Sequence, residues 1–107
     1  NMKLLTKELE KRFATIGGQS DVADPIVIAK FFNPTGQGTW FATEYYPADR
    51  AFYGYVSLFN EVGMNEFGSF SLAELEGYKG RFGLGIERDK FFSEIPLSLA
   101  KEKNNII

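Results

Sequence analysis

Three neighbouring runs decide the fold: Ile26-Val27-Ile28-Ala29-Lys30-Phe31-Phe32, Thr39-Trp40-Phe41-Ala42-Thr43-Glu44-Tyr45-Tyr46, and Ala51-Phe52-Tyr53-Gly54-Tyr55-Val56-Ser57-Leu58-Phe59. Each is rich in β-branched and aromatic side chains, which fit a pleated, half-buried surface. Between them lie Asn33-Pro34-Thr35-Gly36-Gln37-Gly38 and Pro47-Ala48-Asp49-Arg50, both made of turn formers. Connections this short cannot hold a crossover helix, so the runs are expected to form an antiparallel meander. Residues 67–70 add a fourth, brief strand.

Strand geometry sends successive side chains to opposite faces. An unbroken second strand puts Trp40, Ala42, Glu44 and Tyr46 on one face and Thr39, Phe41, Thr43 and Tyr45 on the other. In the third strand Tyr53, Tyr55, Ser57 and Phe59 oppose Phe52, Gly54, Val56 and Leu58. Neither face is cleanly polar. These aromatics either fill a small core or leave a recognition surface, since Tyr and Trp anchor many interfaces.

Outward from the meander, the period changes. Leu5, Leu9, Phe13 and Ile16 form the apolar stripe of an amphipathic helix, with Thr6 as N-cap and Gly17-Gly18 as its stop. Residues 19–25 form a polar turn. Ser71, three residues before Glu74, fits a capping box, and Leu72 with Leu75 gives a short second helix. Gly80-Arg81-Phe82-Gly83-Leu84-Gly85 is a glycine-punctuated loop. Pro96 opens a last helical turn, and residues 101–107 are expected to fray as a flexible tail. The expected architecture is α+β: one domain over residues 1–107, a meander of three to four strands, and two helices packed on one face.

Composition narrows the chemistry. The 107 residues suit one domain. There is no Cys and no His, which removes disulfides, thiolate nucleophiles, zinc–thiolate sites and every His-based triad. Net charge is −2, with the middle of the chain acidic: residues 38–78 hold Arg50 against Glu44, Asp49, Glu61, Glu66, Glu74 and Glu76. This argues against a generic nucleic-acid or anionic-membrane binder. No stretch has the length of a membrane span, and Met2-Lys3-Leu4-Leu5 runs straight into charge without the layout of a secretion signal. A cytoplasmic location is expected.

Three weaker patterns carry possible chemistry. Tyr53-Gly54-Tyr55-Val56 matches the middle of the base-stacking strand of RNA-recognition domains, but Ala51 and Phe52 replace its basic residue and glycine. Leu58 replaces its last aromatic. A single-stranded nucleic-acid accessory would then rely on Lys30, Arg50 and Arg81. Gly80, Gly83 and Gly85 match neither the Walker nor the dinucleotide spacing. With Arg81 and Arg88 they could cradle a nucleotide signal. Glu87 and Asp89 project from one face of an extended segment, with Arg88 and Lys90 on the other, and could join Glu44 around Mg²⁺, although ion pairing of this run with strand neighbours is the simpler use. No motif names an activity, and no cofactor or resident metal is expected.

Several blocks carry a more specific likeness: Met2-Lys3-Leu4-Leu5-Thr6-Lys7-Glu8, Lys30-Phe31-Phe32-Asn33-Pro34, Thr39-Trp40-Phe41-Ala42-Thr43-Glu44, Phe52-Tyr53-Gly54-Tyr55-Val56, Gly68-Ser69-Phe70-Ser71-Leu72-Ala73-Glu74-Leu75-Glu76 and Gly83-Leu84-Gly85-Ile86-Glu87-Arg88-Asp89. Together they resemble a small bacterial domain-of-unknown-function family carried on conjugative plasmids, integrative elements and phages. The chain departs from that pattern at Gly38-Thr39, where relatives often carry a second Trp, and in an added stretch near Asn65-Glu66. The resemblance implies a non-enzymatic accessory that binds a host protein, with a defence nuclease of the restriction or CRISPR type as leading partner. Trp40, Glu44, Tyr46, Tyr53 and Tyr55 are its expected contact residues, and Arg81, Glu87, Arg88 and Asp89 a secondary polar cluster. Oligomeric state is open.

Overall fold

A computed structural model describes residues 3–58 and 65–106. Helix α1 (Lys7–Ile16) starts where Thr6 turns its hydroxyl back to accept the Leu9 N–H, and ends at Gly17. That glycine takes φ 68°, a conformation costly for other residues, and returns its N–H to the Phe13 carbonyl. Strands β1 (Ile26–Val27), β2 (Ala29–Phe32), β3 (Thr39–Tyr46), β4 (Ala51–Ser57) and β5 (Asn65–Ser71) follow. Helix α2 (Leu72–Gly77) is capped by Ser71, whose hydroxyl accepts the Glu74 N–H at 3.1 Å. After a 3-10 turn at Arg81–Gly83 come β6 (Glu87–Arg88), β7 (Ile95–Pro96) and α3 (Leu97–Lys103).

The α+β class is as expected. The sheet is larger: five antiparallel strands in the order β5-β4-β3-β2-β6, with a separate β1-β7 pair. The chain thus comes back after α2 to add β6 beside β2, pairing Phe31 with Arg88 and Phe32 with Glu87. Phe59, expected to end the third strand, lies outside the described residues. Among the described residues no helix is long and apolar enough to cross a membrane.

The two expected helices share one face of the sheet, as expected, and a third helix, α3, covers the other. On one face Phe31, Ala42, Phe52 and Phe70 meet Phe13 of α1 and Leu72 and Leu75 of α2. Phe52 is the hub, with the rings of Phe13, Phe31, Tyr45 and Phe70 between 4.9 and 5.8 Å away. On the other face Val27, Phe41 and Tyr55 pack under Leu97 and Ala100 of α3. The helix continues to Lys103 through the stretch expected to fray, and Asn104 ties its end down. Asn104 donates to the Ala100 carbonyl at 2.7 Å and accepts from Lys30 at 2.6 Å. Pro96 offers no side-chain cap, and Asp24 replaces it: its carboxylate accepts the Ser98 N–H and O–H at 2.9 and 2.6 Å. A helix capped by a residue so far away in sequence has little local signature.

The second difference is inside β3. Pairing with β4 runs evenly from Thr39↔Ser57 to Ala42↔Gly54, then jumps to Glu44↔Tyr53 and Tyr45↔Phe52. Thr43 is therefore the extra residue of a β-bulge, and every side chain after it changes face. Trp40, Ala42 and Tyr45 share the α1 face; Phe41, Glu44 and Tyr46 share the α3 face. Gly54 lets the bulged strand come close, since a Cβ there would stand 1.8 Å from the Phe41 carbonyl oxygen.

Candidate functional site

The bulge helps assemble a cavity that holds a buried carboxylate. It holds about 380 Å³ between the 19–25 loop and the α3 face of the sheet, with Glu44, Tyr46, Tyr53 and Phe67 on the sheet side. Val22 and Pro25 form part of the loop side.

Gln19 builds the frame. Its side chain donates to the carbonyls of Ile26 and Thr43, each at 2.8 Å, and accepts the Ile26 N–H at 2.7 Å. The Thr43 carbonyl belongs to the bulged residue, which the sheet ladder leaves unpaired. The Thr43 hydroxyl in turn donates to the Tyr53 carbonyl at 3.1 Å. Loop and bulge are thus one hydrogen-bonded unit.

Glu44 is the charge in this unit and is only 5% exposed. One carboxylate oxygen accepts the Gln19 N–H at 3.1 Å, and the other accepts the Tyr46 hydroxyl. That bond raises the Tyr46 phenol above the usual tyrosine range, because ionisation would remove the proton being donated. Desolvation and the negative charge of Glu44 act in the same direction. Among the described residues no basic side chain lines the cavity. Its aromatic side is continuous: Tyr53 and Phe67 lie nearly parallel at 6.3 Å, and Phe67 meets the edge of Tyr55 at 5.2 Å.

Of the five expected contact residues, the structure gathers Glu44, Tyr46 and Tyr53 at the cavity. Tyr46 is 48% exposed and Tyr53 is half-buried. Tyr55 is on the same face but only 7% exposed, covered by α3, with the Lys101 ammonium 4.4 Å from its ring centroid. Trp40 is on the opposite face, because the bulge separates it from Glu44. Its ring lies against Gly38, where an added Cβ would come within 2.9 Å of the indole. Gln19 and Phe67 were not foreseen. Gln19 sat in a turn with no apolar pattern to mark burial, and Phe67 in a strand too brief to read for facing.

The secondary polar cluster does not converge. Arg88 turns to the helix face and donates to the carbonyls of Lys3 and Leu4 at 2.5 and 3.2 Å. Asp89 pairs with Lys30 at 3.5 Å and accepts the Phe91 N–H at 2.9 Å. Arg81 sits on the 3-10 turn. Glu44 on β3 is separated from Glu87 on β6 by the whole of β2, and among the described residues no three acidic side chains gather as metal ligands. The basic residues weighed for nucleic acid are also dispersed: Lys30 is held by Asp89 and Asn104, and Arg50 faces Glu76 at 3.6 Å. Two phenylalanines on other loops stand out in solvent, Phe82 at 91% and Phe91 at 97% exposure.

A model of a protein family of unknown function, DUF2958, matches residues 4–105, and the chain belongs to that family. No curated protein and no solved structure matches it.

Proposed function

We propose that this protein is a non-enzymatic accessory of a mobile genetic element that binds a host protein through the Glu44 cavity. Its partner in this reading is a defence nuclease of the restriction or CRISPR type. The observation that supports it is the chemistry of the cavity: one buried carboxylate, aromatic walls, and no basic group among the described lining residues. Aromatic anchors around a single desolvated charge are the composition of interface hot spots. Nucleases, for their part, carry arginine and lysine to hold phosphates, which makes their surfaces complementary to such a site. Glu44 is the charge partner, Tyr46 and Tyr53 are the anchors, and Phe67 extends the contact. The exposed Phe82 and Phe91 offer further apolar contacts.

The other readings draw less support. Arg88 is committed to the N-terminal carbonyls, which weakens a phosphate cradle. The separation of Glu44 from Glu87 and Asp89 weakens a Mg²⁺ site, and the engaged Lys30 and Arg50 weaken a single-strand platform.

The test is a DNA-cleavage assay with purified restriction and CRISPR nucleases titrated with the chain. Cleavage is expected to fall with at least one of them, and Glu44→Gln to restore it. Unchanged cleavage across the panel, with no protection of an incoming plasmid or phage on co-expression, overturns the reading.

A further inference from the structure

We infer that the Glu44 cavity is an arginine receptor: it takes the guanidinium of one arginine side chain presented by a partner protein. The inference rests on the reading above for its source of arginine, but its chemistry stands on the cavity alone.

A carboxylate taken out of water needs compensation, and here it is partial. Each oxygen of Glu44 accepts one hydrogen bond, from the Gln19 N–H and the Tyr46 hydroxyl. A carboxylate has about four lone-pair sites, so both oxygens retain acceptor capacity. The two existing bonds also fix the carboxylate in place, so a bound cation finds it already oriented. Tyr53 and Phe67, whose rings lie 13° from parallel, add aromatic surface in the same cavity.

Among cations this set favours guanidinium. A planar fork can bond both oxygens at once while its face stacks on aromatic rings, and it sheds water more readily than an ammonium. A lysine ammonium is compact, strongly hydrated and cannot stack flat. A divalent metal would need about six oxygen ligands with carboxylates among them, and Glu44 is the one carboxylate among the described lining residues. Cation–π attraction strengthens where water is excluded, which suits a carboxylate buried as deeply as Glu44.

The test uses the full chain, isotope-labelled, titrated by NMR with N-acetyl-arginine methylamide. Its neutral isostere N-acetyl-citrulline methylamide and N-acetyl-lysine methylamide serve as comparisons. Arginine is expected to shift the Gln19 amide saturably at roughly tens of millimolar, as suits one isolated side chain. Lysine should bind several-fold more weakly and citrulline should not bind. Glu44→Gln is expected to abolish the shift. Phe67→Ala, at a half-exposed position that preserves the fold, should weaken it several-fold. Citrulline binding as well as arginine, lysine binding more tightly, or no saturable shift at Gln19 each overturn the inference. If nucleases are inhibited while arginine does not bind, the receptor fails and the functional reading survives. If arginine binds and no nuclease is inhibited, the reverse holds.

Discussion

The Gln19 side chain donates to the Thr43 carbonyl at 2.8 Å, at the position where β3 slips by one residue against β4. This bond satisfies the carbonyl that the bulge frees, and it fixes the loop that walls the cavity. Removing it as Gln19→Ala also strands the Ile26 N–H and carbonyl. With three bonds lost in a buried setting, the expected cost is about 2–4 kcal/mol, read by urea unfolding. The Ile26 amide should exchange with solvent much faster. A cost below the uncertainty of the measurement would mean that the bulge holds itself without Gln19.

Gly54 is under a different constraint. A methyl group there would meet the Phe41 carbonyl oxygen at 1.8 Å, an approach that backbone must move to relieve. Gly54→Ala is expected to destabilise the fold by about 3 kcal/mol or more. Gly68→Ala, opposite it on β5 with nothing within 4 Å of the added Cβ, is the control and should leave Tm nearly unchanged.

Tyr46 supplies a pH signature. Its folded pKa lies above the usual range, so between the unfolded and folded values the unfolded chain loses a proton that the native state keeps. The Tyr46 contribution to stability is therefore complete at neutral pH and declines as pH rises through the folded value. Phenolate absorbance of the native protein should contain one late-titrating tyrosine. Glu44→Gln should move it toward the ordinary range, and Tyr46→Phe should remove it. A late component that persists in Tyr46→Phe would assign it to another ring.

Asp24 behaves in the opposite sense. The Ser98 hydroxyl, and then its N–H, favour the carboxylate and hold its pKa below the ordinary range. Its contribution is complete above the unfolded pKa and is lost as pH falls through the lowered folded value. Because this carboxylate caps α3, amides of that helix should exchange faster relative to their intrinsic rates on acidification, before those of the sheet. Asp24→Asn should flatten that dependence, and Asp24→Ala should produce the fast exchange already at neutral pH. Uniform exchange in all three would detach α3 from its cap.

The parts of the fold with local chemical marks were legible in the sequence. Thr6 and Gly17 bounded α1, the Ser71–Glu74 pair opened α2, and aromatic runs marked the strands. What was hidden depends on partners distant in sequence. A bulge at Thr43 has no signature of its own, because any residue can be the extra one, and unbroken alternation then put Trp40 beside Glu44. Asp24 and Ser98 meet across 74 positions, so only a short turn after Pro96 was legible, the end of α3 was expected to fray, and the cover over Tyr55 went unseen. Glu44, Tyr46 and Tyr53 were recognised by residue type, whereas Gln19, which organises them, has no type-based signal.

The β1–β7 pairing, Ile26 with Pro96 and Val27 with Ile95, sets an order of events on the ribosome. Synthesis delivers α1, the meander and α2 first, enough to collect the aromatic hub around Phe52. The opposite face must wait, because Leu97 and Ala100, which pack over Phe41 and Tyr55, emerge after all of these. A nascent chain therefore passes through a stage with one finished side and one oily side. During that interval, chaperones and self-association compete for the surface that α3 will close.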